Sequence, residues 1–166
     1  MSNLFSAVEA NNASEVELLL EAGANPNIQN NKGNTALIYA VLNNENKDIV
    51  ELLLKSGIKV NTSNKINYTA LMYVIDLDIA EMLIWAGAEI NVKNNKGNTA
   101  LFFNVKRSNI KLVKTLLKYG AQPNSNCLQE AINRKNIPII KLLLEYRFDI
   151  SGVHSIDPEI SRLLEN

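Results

Sequence analysis

The octapeptide NNKGNTAL stands at residues 30–37 and again at residues 94–101, 64 positions further along. Identity over that length signals internal repetition, which is read before anything else because it decides the architecture. A third Thr-Ala-Leu lies between the two copies, so that Thr35, Thr69 and Thr99 are spaced 34 and then 30 residues apart. A second marker recurs with the same rhythm, an apolar run that ends in glycine: VELLLEAGANPN (16–27), VELLLKSGIKVN (50–61), AEMLIWAGAEIN (80–91) and VKTLLKYGAQPN (113–124). Weaker copies flank these, with LFSAV (4–8) opening the first unit and LQEAI (128–132) plus IKLLLEYRFDI (140–150) forming a fifth.

Each unit reads as two short helices. Thr35, Thr69 and Thr99 are placed to cap the first, since a hydroxyl there accepts from an unpaired N–H of the opening turn. Ser14 with Glu17, Asp48 with Glu51, and Asp78 with Glu81 have the spacing of a cap and an acidic residue that together satisfy first-turn donors of the second helix. Pro138 fits the start of the last second helix because its φ is preset. Gly23, Gly57, Gly87 and Gly120 are expected to end the others in the left-handed conformation. The spacing Val50, Leu53, Leu54, repeated as Val113, Leu116, Leu117, puts an apolar stripe on one helix face. A two-helix unit cannot bury that stripe alone, but stacked copies can, which predicts a solenoid.

The pattern G-N-T-A-L-x-x-A followed by L-L-x-x-G-A-x-x-N resembles the ankyrin repeat. The resemblance implies an all-α solenoid of stacked helix-turn-helix units joined by outward β-hairpin-like loops. The copies are expected at about 1–29, 30–63, 64–93, 94–126 and 127–151, with a capping segment at 152–166 built on DPEISRLL (157–164). NNKGNTAL then becomes a hairpin tip plus a helix start, with Gly33 and Gly97 making the turn and Asn67 standing in for them in the third copy. Asn tolerates positive φ better than most residues.

Departures from the family pattern carry their own expectations. Ala36, Ala70 and Ala100 replace its usual Pro, and Ile38, Met72 and Phe102 replace its usual His, so apolar packing should stand in for part of the motif's hydrogen bonding. Asn104 falls where the first helix normally buries Ala, and needs a hydrogen-bond partner because an unsatisfied buried amide costs roughly 1–3 kcal/mol. Only IDLD (75–78) separates the helices of the third copy, and the stretch from Gly120 to Leu128 has no room for a full hairpin. Arg147 replaces the stop glycine of the fifth copy, as in a degenerate terminal unit.

Composition narrows the function classes. At 166 residues, 46% hydrophobic and 20% charged, the chain suits a folded domain with a sizeable core. The opening MSNLFSAVEANN does not read as a secretory signal, and a cytoplasmic location is the expectation, with delivery into another cell left open. Cys127 is the only cysteine and His154 the only histidine. A buried core thiol and a loop imidazole outweigh a nucleophile and its base. Asp76 with Asp78 is a weak candidate for carboxylate chemistry, and no phosphate-cradling glycine motif is present. The expectation is a protein that is not an enzyme and needs no cofactor or metal. Tyr39, Tyr73 and Phe103 recur at one repeat position and read as stacked core aromatics.

Charge supplies the remaining clue. Residues 1–90 hold 5 basic and 11 acidic residues, whereas 91–147 hold 11 basic and 2 acidic. The expected partner is another protein, attracted to the basic half by an acidic surface. Nucleic acid or another polyanion is the weaker alternative, no membrane contact is expected, and the chain is expected to be a monomer. Ankyrin repeats resemble one another in using hairpin tips and first helices to bind, which implies contact residues Lys32, Asn34, Lys65, Ile66, Tyr68, Lys96, Asn98, Lys106, Arg107 and Arg134. The middle finger differs from its neighbours through Ile66 and Tyr68, either as an apolar anchor for a partner or with Tyr68 packed on Met72. Trp85 occupies an outer-helix position held elsewhere by Glu21, Lys55, Lys118 and Glu145. The ring is either part of a second contact surface or covered by neighbouring aliphatic stems, and cover is the expectation.

Overall fold

A computed structural model describes residues 3–43, 46–146, 148–151 and 153. Among these, ten helices follow one another: α1 (Leu4–Glu9), α2 (Ala13–Glu21), α3 (Ala36–Asn43), α4 (Lys47–Lys55), α5 (Ala70–Tyr73), α6 (Leu77–Trp85), α7 (Ala100–Lys106), α8 (Ile110–Lys118), α9 (Ser125–Asn133) and α10 (Ile137–Leu144). Odd-numbered helices pack on one another in an inner row, and even-numbered helices pack on one another in an outer row. No strand forms among the described residues; a single bridge joins Gln29 to Thr35 at the root of the second unit's finger, called the second finger. The fingers close instead by two backbone bonds each: the N–H of Asn30, Asn64 and Asn94 donates to the carbonyls of Asn34, Tyr68 and Asn98, and the N–H of Gly33, Asn67 and Gly97 donates back to the carbonyls of Asn30, Asn64 and Asn94.

The core is built from equivalent residues of successive units. Leu53, Leu83, Leu116 and Leu143 are fully buried at one repeat position, and Leu37, Leu71, Leu101 and Leu128 at another. Burying each such side chain contributes about 1.5–3 kcal/mol. Leu19, the first copy's counterpart of Leu53, is only partly buried, because the terminal unit has a neighbour on one side alone.

Helix ends follow the sequence with one systematic correction. Gly23, Gly57, Gly87 and Gly120 all take positive φ after the outer helices. The outer-helix caps, however, are not Ser14, Asp48 and Asp78. Asn12, Asn46, Asp76, Asn109 and Asn136 cap these helices, each accepting from the N–H three residues on. Those polar residues were hidden in connectors that looked like plain loop. Asp48 and Asp78 instead sit in the first turn, where a carboxylate favours the helix dipole. Thr35 and Thr99 cap as expected, through bonds from the N–H of Ile38 and Phe102, whereas Thr69 makes no cap bond. Pro138 lies in the first turn of α10.

The third unit is the irregular one. Asn11, Ser108 and Lys135 take positive φ just before the outer-helix cap, but the equivalent residue here is Ile75, and a β-branched side chain avoids that region. The chain leaves α5 after one turn, with Val74 extended. Carbonyls that a longer helix would have paired are met from the next unit: Arg107 donates to Met72 O at 3.1 Å and Asn109 to Ile75 O at 3.0 Å. Asn104 is fully buried in α7 and donates to Ala100 O at 3.1 Å, while its Oδ1 has no partner. The expected partner is thus present for only half of the amide. Arg147, His154 and the 157–164 segment lie outside the described residues.

Candidate functional site

The inner helices and the finger tips face each other across a groove. A cavity of about 930 Å³ lies between the second and third fingers and α3 and α5, lined by Lys32, Lys65 and Ile66 on the fingers and by Tyr39, Leu42 and Tyr73 on the helices. An Asn at the root of each finger sets the wall. Asn30, Asn64 and Asn94 each accept, on Oδ1, two backbone N–H groups of their own finger. This turns four residues into a rigid loop without strands. A second set, Asn27, Asn61 and Asn91, clips each unit to the next by accepting from Lys59, Glu89 and Gln122 N–H at 2.7 to 2.8 Å. The recurring Asn four residues beyond each stop glycine was the sequence signal for that clip.

The aromatics correct an expectation. Tyr39, Tyr73 and Phe103 are half-buried. All three pack against the core, and Tyr39 and Tyr73 line the groove as well. Tyr68 stacks between Tyr73 and Phe103, with ring centroids 5.2 and 5.0 Å away. This places it in an aromatic ladder, which is local packing of the kind expected but on rings rather than on Met72. Phe102 meets Phe103 edge-on at 5.5 Å, and the Arg107 guanidinium lies 5.8 Å above the Phe103 ring. At the other end, Tyr39 donates to Glu9 Oε1 at 2.9 Å, and that carboxylate bond raises the phenol above its usual pKa.

The expected contact residues divide into two groups. Lys32, Lys65, Lys96 and Lys106 are exposed, and Ile66 is 53% exposed at its finger tip. Asn34 is not a surface contact: it is 4% exposed and accepts from Asn64 Nδ2 at 2.9 Å. Asn98 is half-buried, with its N–H held by Asn94. Arg107 is tied to Met72 O and Phe103, and Arg134 pairs with Glu130 at 2.7 Å. Asn34 and Asn98 are withdrawn into the finger walls, whereas Arg107 and Arg134 are engaged by these contacts and exposed at the same time. Tyr39, Leu42 and Tyr73 were missed as groove residues. For Tyr39 and Tyr73, the same offset from Thr35 and Thr69 was the available signal.

Features that could have supported catalysis have other uses. Cys127 is buried, and desolvation pushes its thiol up to about 11, which makes it a poor nucleophile. Asp76 caps α6, and both Asp76 and Asp78 meet Lys47, whose bond to Asp78 raises its pKa. Among the described residues no group of three or more His, Cys, Asp and Glu is placed to hold a metal. No described helix is long and apolar enough to cross a membrane. Trp85 overturns its expectation outright: the ring is 71% exposed, with only Nε1 engaged, donating to Tyr119 Oη at 3.3 Å.

The family pattern described as ankyrin repeats (3 copies) matches residues 4–94 and again 76–153. Two proteins of Acanthamoeba polyphaga mimivirus share segments with the chain. Ankyrin repeat protein L86 is 61% identical over 31 residues, and ankyrin repeat protein L92 is 70% identical over 30. These segments cover 19% and 18% of this chain but only 5% and 7% of the relatives, so they speak for the repeat and not for a shared whole-protein role. Stacked helix pairs, Asn-braced fingers and a pattern match spanning most of the chain lead to one assignment: this protein belongs to the ankyrin repeat family.

Proposed function

We propose that the chain binds another protein through its groove, as a non-enzymatic interaction module that uses no cofactor. Ankyrin repeats are in general protein–protein interaction modules. The observation that carries the reading for this chain is the combination at the second and third fingers. An apolar floor of Tyr39, Leu42 and Tyr73 lies beside the exposed tip of Ile66, flanked by Lys32 and Lys65. Rigid aromatics lose little side-chain entropy on binding, and a polar rim around an apolar anchor is the usual arrangement of binding hot spots. Lys96 and Lys106 extend the basic rim into the fourth unit. The partner that fits is a protein segment with a large apolar side chain and carboxylates beside it. Its place of action is the reducing cytoplasm, in keeping with a single buried thiol.

A photo-crosslinker at position 66 is expected to capture a partner that one at position 17, on the outer row, does not. Equal capture at both positions removes the groove assignment. The polyanion reading rests on the basic residues between 91 and 147. Retention on heparin at low salt, abolished by reversing Lys96 and Lys106, supports it in place of a protein partner.

A further inference from the structure

The outer row carries a second pattern that the groove does not use. Helices α2, α4, α6, α8 and α10 lie side by side in chain order, so equivalent residues form rungs across them. One rung reads Glu17, Glu51, Glu81, Lys114, Lys141, and its sign switches between α6 and α8. A rung nearer the helix starts switches at the same seam, from Asp78 to Lys111. A rung nearer the helix ends places Lys55 in the second unit, Trp85 and Lys118 on either side of the seam, and Glu145 in the fifth. All of these are exposed except Glu81, which is half-buried, so the face is a solvent surface in the single chain.

We propose that this face is a self-complementary contact between two copies of the chain, related by a two-fold axis parallel to the helices along the α6–α8 seam. Such an axis keeps every rung in register and exchanges the third unit with the fourth and the second with the fifth. Glu81 then meets Lys114 of the second copy, Glu51 meets Lys141, Asp78 meets Lys111 and Lys55 meets Glu145. Each exchanged charge pair is opposite in sign, which is the self-complementarity that a two-fold interface requires of a single patch. An in-plane axis perpendicular to the helices would instead set each helix on its own copy, Glu51 on Glu51 and Lys114 on Lys114, and like charges would oppose it. The charge pattern therefore selects one axis.

Trp85 sits beside that axis. Its ring is 71% exposed and already reaches across the seam to Tyr119. Exchange brings it to Lys118 of the other copy, whose ammonium lies 5.9 Å from its own Tyr119 ring. An ammonium over an indole is the stronger form of that contact. Within one chain, Glu51 and Lys55 pair at 2.5 Å on the exposed surface and Asp78 holds Lys47. Surface pairs of this kind contribute little, so exchanging partners gives up little. The expectation of a monomer treated the two charge halves as opposite ends of the chain; stacking the helices puts them on one face.

Sedimentation equilibrium of the full chain, from about 1 µM to about 1 mM, tests the contact. At low salt the mass is expected to rise to twice the chain and stop there, with dissociation favoured as salt screens the rim. Glu51→Lys with Glu81→Lys makes the face wholly basic, and Lys114→Glu with Lys141→Glu makes it wholly acidic. Each double variant is expected to weaken association at least tenfold, whereas the quadruple variant, or an equimolar mixture of the two doubles, restores it. Trp85→Ala should also weaken it tenfold, and association of the unaltered chain should shift Trp85 emission to the blue. Circular dichroism checks that the variants keep their helices, including those at half-buried Glu81. A chain that stays monomeric throughout at low salt, a mass that climbs beyond the dimer, or a quadruple variant as weak as the doubles overturns the proposal.

Discussion

The first copy of NNKGNTAL has a finger stacked against it and the second does not, and that difference assigns different duties to identical residues. Gly33 is buried, at φ +79, and a Cβ there would lie 2.8 Å from Lys65 N. That N–H donates to Lys32 O at 3.3 Å, so glycine is needed for the close approach as well as for the turn. Gly97 has nearly the same φ, +75, and nothing within 4 Å. The root asparagines differ in a similar way. Asn64 Nδ2 donates both to Asn34 Oδ1 at 2.9 Å and to Tyr73 Oη at 3.2 Å. Asn94 is its counterpart in the second copy, 5% exposed, and its Nδ2 has no partner. The reason is visible in the register: where Asn64 finds Asn34 and Tyr73, Asn94 finds Tyr68 and Phe103, and neither ring carries an acceptor at that place. The third finger carries an aromatic ladder, and the fourth keeps its Oδ1 bonds but leaves Asn94 Nδ2 without a partner.

The contrast between the copies is open to direct test. The largest effect is expected at the glycines. Gly33→Ala should cost about 3 kcal/mol, combining a left-handed alanine with overlap on Lys65, while Gly97→Ala should cost about 1 kcal/mol from backbone strain alone. Urea unfolding of both variants measures the difference, and equal losses would show that the finger stacking on Gly33 carries no weight. Next come the root amides. Asn64→Ala should cost about 3 kcal/mol because it strands two backbone donors and two side-chain partners, against roughly 1–2 kcal/mol for Asn94→Ala.

A gain is expected in the opposite direction. Phe103→Tyr places a hydroxyl where Tyr73 has one, and should stabilise the chain by about 1 kcal/mol by giving Asn94 Nδ2 an acceptor; no change in the urea midpoint would break the register argument. The smallest effects separate the capping threonines. Thr35→Ala should cost about 1 kcal/mol, whereas Thr69→Ala, with no cap bond to lose, should stay within a few tenths. Thermal melts of the pair resolve that order.

Much of the groove was legible before any coordinates. Gly33, Gly97 and Asn67 do turn the fingers, with Asn67 at φ +60, because a turn is decided by a few adjacent residues. Ile66 was readable as an exposed tip because both neighbouring fingers carry charge or amide there. Asn34 was misread for the opposite reason. A polar residue in a turn looks solvated until the next finger arrives 30 residues later in the chain and buries it. Tyr39, Tyr73 and Phe103 were assigned to the core because periodicity reports which helix face is apolar, not whether a further layer covers it. Outer-helix caps were displaced by two residues, since Ser14, Asp48 and Asp78 satisfy the same local spacing rule as the asparagines and aspartate that do the capping. Only backbone geometry chooses between them.

By itself the sequence determined the repeat, its period, the two-helix unit and the stop glycines, because each of these rests on contacts within about 34 residues of the chain. Tertiary structure alone decided which asparagines are buried, which aromatics stay open to the groove, and that acidic and basic outer helices share one face with Trp85 at the seam. Those outcomes depend on what the neighbouring unit places opposite each residue, and two identical octapeptides with different neighbours cannot encode it locally.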